Sequence, residues 1–89
     1  EAEYRRQRGQ FLAGLQWWLR DVWLAALRQG RELLHFQEWA DTSETVGHRL
    51  TPRQALDNLQ SIEATQRLLE TTNVQEALAL EVGLLKLKL

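Results

Sequence analysis

Between residues 3 and 29 the chain has no proline, holds only Gly9 and Gly14, and repeats apolar side chains at helical spacing. At about 100° per residue, Tyr4, Phe11, Leu12, Leu15, Trp18, Leu19, Val22, Trp23 and Ala26 fall in one broad arc. That arc is wide enough to be the main core face of a bundle helix, so the rest of the chain has to supply helices that cover it. Gly30 follows Arg28 and Gln29, where a left-handed cap would end the helix. Gly9 and Gly14 each cost about 1 kcal/mol relative to alanine. Arg5, Arg6 and Arg8 oppose the positive end of the helix dipole. The first turns are therefore expected to fray, with the helix beginning further upstream in a parent protein.

Residues 31–37 form a connection that Leu33, Leu34 and Phe36 should tuck against the bundle. A second helix is expected from about Gln37 to Arg49, with Trp39, Val46 and Leu50 on one side. Thr42, Ser43, Thr45 and Gly47 lower its propensity, so packing must hold it. Thr51-Pro52 is the clearest boundary: threonine can cap an orphan amide, and proline at the first helical position has no amide to satisfy. The helix that starts there should run to about Thr71, burying Ala55, Leu56, Leu59, Ile62 and Leu69 and pairing Glu63 with Arg67 across one turn. Gln66 lies inside its apolar arc, either hydrogen-bonded within the bundle or at the edge of an interface. Thr71-Thr72-Asn73 breaks the pattern, and Asn73 with Glu76 makes an approximate capping box for a last helix reaching Leu89.

That last helix is apolar on two sides. Ala77, Leu80, Leu84 and Leu87 line one stripe; Val74, Leu78, Val82, Leu85 and Leu89 line another. Glu81 and Lys88 separate them on one flank, and Gln75, Glu76, Gly83 and Lys86 form most of the opposite polar arc, with Ala79 among them. Either neighbours cover both stripes inside the bundle, or one stripe meets another chain. Trp17 and Leu24, seven residues apart with Arg20, Asp21 and Arg28 around them, form a comparable second stripe on the first helix. Trp17 is either a half-exposed surface tryptophan or an anchor for another subunit.

Eighty-nine residues without cysteine make one domain, residues 1–89, with a modest core and neither disulfides nor a thiolate metal site. The absence of methionine and of a signal pattern leads us to expect a fragment of a longer polypeptide. Apolar runs are interrupted by Arg20, Asp21 and Glu81, so no membrane span is expected, and a cytoplasmic location agrees with the lack of cysteine. A net charge of −1 with interspersed signs disfavours direct nucleic-acid binding and offers little repulsion between copies. The outline of a helix, a break near Leu50 and a capped helix resembles a helix-turn-helix. Its second helix, however, offers no cation between Arg53 and Arg67 and carries Asp57 and Glu63.

No catalytic constellation is found. The five glycines stand singly, so a phosphate-binding loop is absent. His35 and His48 lie on different expected elements without clustered ligands, which reads as two surface or partly buried histidines. Ser43 and Ser61 lack a nucleophile elbow, and Asp41 with Glu44 fits a solvated helix face. No cofactor is expected.

Two segments carry a family resemblance. The run from Leu15 to Leu27, with Trp18-Leu19-Arg20-Asp21 at its centre, resembles the tryptophan-leucine-arginine-aspartate helix in the C-terminal domain of the bacterial DNA polymerase III delta-prime clamp-loader subunit. The run from Ile62 to Leu85 is similar to that family's ending: isoleucine, arginine and leucine precede the Asn73-Val74 step, then come Leu78-Ala79-Leu80-Glu81 and a leucine-rich close. Leu50-Thr51-Pro52-Arg53 lies where the family starts a helix. Gln75, Gly83 and the doubled Trp17-Trp18 depart from the pattern. Related gamma or tau subunits share the ending; the Trp-Leu-Arg-Asp piece favours delta-prime.

The resemblance implies an upstream nucleotidase-like module with a zinc-binding insertion and an arginine finger, none of whose residues occur in this chain. It also implies a collar domain joining other subunits in a ring of five, within an ATP-dependent complex that serves DNA replication and, as the polymerase III holoenzyme, carries nucleotidyltransferase activity. The expectation is thus an all-α bundle of about four helices, a non-enzymatic collar domain. Its interface residues would be Trp17, Leu24, Val74, Leu78, Val82 and Leu85. Its partners would be gamma/tau and delta, with the sliding clamp and primer-template DNA reached only through the whole complex. The residues leave open which stripe of the last helix faces out. They also leave open the other class, a free-standing, self-associating helical module.

Overall fold

The computed structural model describes residues 2–71 and 76–89, and side chains outside 71–77. It is a compact all-α bundle: α1 (Ala2–Ala26), α2 (Ala40–Gly47), α3 (Pro52–Thr71) and α4 (Glu76–Leu85), with short 3-10 turns at Arg31–Leu33 and Gln37–Trp39. The long helices α1 and α3 pack along each other in opposite senses. Gln16 meets Gln66 near one end, while Val22 and Ala26 share a cluster with Ala55 at the other. Leu12, Leu19, Ile62 and Leu69 form the central core, sealed from the α4 side by Ala79, Leu80 and Leu87. Val22, Ala26, Val46 and Ala55 form a second cluster that docks α2.

Gly47 makes that docking possible. A Cβ there would lie 2.7 Å from Ala25 Cβ and 2.8 Å from Val22 O, so only glycine lets the end of α2 touch α1. Propensity therefore gives way to close packing, as expected for this helix, but its extent is shorter than expected. Gln37–Trp39 is a 3-10 turn, α2 begins at Ala40, and Trp39 is exposed.

Helix α1 ends earlier than Gly30. Gln29 N–H donates to Leu24 O and Arg28 N–H to Ala25 O, both at 3.0 Å, the paired bonds of a Schellman closure. The left-handed residue is Arg28 (φ 62°), whereas Gly30 is extended. At the other end Tyr4 and Phe11 stand outside the core, both more than half exposed, although Leu12 beside Phe11 is buried.

Helix α3 starts where Thr51-Pro52 placed it. Thr51 Oγ1 accepts from Gln54 N–H at 3.1 Å and Gln54 Oε1 accepts from Thr51 N–H at 3.0 Å, a reciprocal capping box. Gln66 is half-buried, accepts a hydrogen bond from Gln16 Nε2 and donates to Glu70 Oε1 at 3.2 Å, so the within-bundle role holds.

The last helix stops at Leu85 rather than Leu89, and Lys86 and Leu87 close it with bonds to the carbonyls three residues back. Gly83 and Ala79, assigned above to the polar arc, face inward: Gly83 is buried, and a Cβ there would collide with Thr65 Oγ1. Leu84, on the same stripe as Leu80 and Leu87, is exposed while those two pack on the core. The Asn73 cap with Glu76, the Thr71–Asn73 break, Val74, and the side chains of Gln75 and Ala77 lie outside the described residues.

Candidate protein-interaction surface

Helix α4 settles its own orientation through two contacts. On its inner side Gly83 seats on Thr65 of α3. Beyond its end, the side chain of Asn58, 1% exposed, grips the backbone of Lys88. Oδ1 accepts from Lys88 N–H at 2.8 Å and Nδ2 donates to Lys88 O at 3.0 Å. Both polar atoms of a buried amide are thus satisfied by one residue of the terminal segment, which draws Leu87 into the core. With Ala79, Leu80, Gly83 and Leu87 turned inward, helical geometry turns Leu78, Val82 and Leu85 outward. They are 57%, 45% and 77% exposed. Beside them, between α3 and α4, runs a groove of about 570 Å³ whose walls include Ala64, Leu68, Leu78 and Val82 and whose one end carries Asp57 and Lys86.

The Trp17 patch is built differently. Trp17 is 45% exposed, but the His35 ring stacks on it with centroids 4.2 Å apart, and the Arg20 guanidinium lies 5.6 Å from the ring. Leu24 is only half-buried, and its carbonyl takes part in the closure of α1. A hollow of about 280 Å³ beside Trp17 is lined by Ala13, Gln16, Arg20, Leu59 and Glu63.

Asp21, expected among the solvated charges around Trp17, is fully buried instead. Its Oδ1 accepts from His35 N–H at 2.8 Å and its Oδ2 from Phe36 N–H at 2.9 Å, so it clamps the connection between α1 and α2. This places His35 over Trp17 and Phe36 beside Trp39, whose rings lie 4.6 Å apart. His35 and His48 are both exposed. Outside the clamp, Arg31 bonds Glu44 through Nε (3.1 Å) and Nη2 (2.6 Å) and also reaches Asp41. Hydrogen bonding to Glu44 first, then Asp41, raises the Arg31 pKa, and the Arg31 bond holds the Glu44 carboxyl below its ordinary value.

Comparison with family models, curated proteins and solved structures gave no match.

The aromatic hollow formed by Phe11, Trp18, Phe36 and Trp39, about 380 Å³, was not anticipated. Phe11 and Trp39 read as core by periodicity, but they line this open hollow while Leu12, next to Phe11, takes the buried position. The Asn58 clamp was missed because its partner is a backbone. The Thr51–Gln54 box did leave a signal, a threonine followed three residues later by glutamine before an apolar run. Among the described residues no group of three potential metal ligands occurs, and no helix is long and apolar enough to cross a membrane.

Proposed function

We propose that this chain is a non-catalytic assembly domain, the collar domain of a delta-prime-like clamp-loader subunit. It packs against gamma/tau and delta in the cytoplasm and contributes to sliding-clamp loading during DNA replication only through the whole complex. The observation that carries an assembly role is the outward row of Leu78, Val82 and Leu85 on a helix whose opposite side already closes the core. Three large apolar side chains in one row of a ten-residue helix, with Leu84 also exposed at its side, form a contact patch, whereas scattered surface leucines do not. The delta-prime assignment is supported by the Trp18-Leu19-Arg20-Asp21 run and the Ile62–Leu85 ending.

Binding of the chain to purified gamma/tau and delta tests the proposal. Leu78→Asp with Leu85→Asp is expected to abolish binding while the helical circular dichroism stays unchanged. Trp17→Ala with Leu24→Ala then asks whether the first-helix patch is a second contact. Absence of binding by the unaltered chain, or full affinity in the α4 double variant, overturns the loader assignment of this face.

A further inference from the structure

The charges that border the open face of α4 specify more than a generic apolar partner. Leu78, Val82 and Leu85 recur at spacings of four and three, so Leu78 and Leu85 take the d positions of a heptad and Val82 the a position between them. Glu81 then falls at g, and Lys86, the first residue beyond α4, continues the register to the following e. Both are exposed, and among the described residues neither joins an ion pair.

We infer that the open face of α4 pairs with α4 of a second copy of this chain, the two helices side by side and parallel about a two-fold axis. In that arrangement g faces the e position five residues further on, so Glu81 of each copy meets Lys86 of the other and both ion pairs form at once. An antiparallel two-fold pair would set Glu81 near Glu81 and Lys86 near Lys86 and is disfavoured. Valine at a with leucine at d is the combination that favours two parallel strands over three or four. The side of α4 that meets α3 points away from the partner, so the Asn58 clamp and the Gly83 seat are undisturbed. A net charge of −1 adds little long-range repulsion. The contact spans fewer than two heptads, which makes the dimer a weak, transient one. The pairing uses the same face as loader binding without resting on it: the free domain covers its apolar row with a copy of itself, and a loader partner competes for that row.

Sedimentation equilibrium of the 89-residue chain at low salt, from about 5 µM to 1 mM, tests this with Glu81→Lys, Lys86→Glu, Leu85→Asp and an equimolar mixture of the first two. The expected result is a wild-type dimer that Leu85→Asp abolishes and that each charge reversal alone weakens about 3- to 10-fold. In the mixture every g–e contact is again between opposite charges, so a mixed dimer is expected within about 2-fold of wild-type affinity. A chain that stays monomeric throughout the range overturns the pairing. So does a dimer indifferent to Leu85→Asp, or a mixture no tighter than the single variants. Loader binding without self-pairing, or self-pairing without loader binding, shows which of the two readings has failed.

Discussion

Asp21 and Asn58 do the same job at two ends of the molecule with different consequences. Each is a polar side chain at most 1% exposed, and each captures two backbone groups of a non-helical segment. Asp21 accepts two N–H donors from the connection that leads into α2, so the packing of α2 and of the Val22 cluster depends on it. Asn58 holds a segment beyond the end of α4, where Leu87 packs against the central core from outside. One clamp is central to the fold and the other is a latch at its edge. A helix secured at a few points, with its outer row open, suits a contact surface; a connection locked by a buried carboxylate suits a scaffold.

Asp21→Ala should have the largest effect. It leaves two backbone donors unpaired near a buried site, with an expected cost of about 3 kcal/mol. For a chain of this size that lowers Tm by roughly 15 °C in a calorimetric scan. Gly83→Val and Asn58→Ala strike the latch. Each should cost about 1–2 kcal/mol and appear mainly as faster amide exchange over residues 83–89, with protection in α1 and α3 largely kept. If Asn58→Ala collapses protection throughout, as Asp21→Ala should, the contrast between scaffold and latch is wrong.

Arg28→Gly sharpens the same picture in the stabilising direction. Arg28 holds φ 62°, a conformation that carries a penalty for a residue with a Cβ, so glycine should add about 1 kcal/mol and raise Tm by about 5 °C. The smallest effect is on pH dependence. The Glu44 pKa is depressed in the folded state by Arg31, so its contribution is present above its ordinary value of 4.5 and is lost as pH falls through the depressed value. Arg31→Ala should flatten that part of the acid limb in a Tm–pH series by lowering Tm slightly at neutral pH, where the contribution is present, and leaving it unchanged below the depressed value.

Much of the fold was legible because it depends on period and punctuation. The α1–α3 pair, the Thr51-Pro52 start and the burial of Leu12, Leu19, Val22, Ala55, Ile62 and Leu69 follow from helical spacing and capping chemistry. What was not legible depends on pairs of distant residues. Nothing local marks Asp21 as buried, since its role exists only once His35 and Phe36 fold back over α1. Gly83 counted as polar-side until Thr65 supplied a neighbour that excludes a Cβ. Arg28 took the left-handed position from Gly30 because the closing bonds to Leu24 and Ala25 leave no room for two more helical residues. The two apolar stripes of the last helix were visible in the sequence; the outward direction of Leu78, Val82 and Leu85 came from the inward seating of Ala79, Gly83 and Leu87.

The central claim is that the outer row of α4 is where this domain meets another polypeptide. Hydroxyl-radical footprinting of the chain, free at low concentration and mixed with gamma/tau and delta, tests it most directly. The account predicts that Leu78, Val82 and Leu85 label readily in the free chain and are protected in the assembly, while Tyr4, at the uncovered end of α1, changes little. Unchanged labelling of all three leucine and valine positions in a demonstrably formed complex would contradict it.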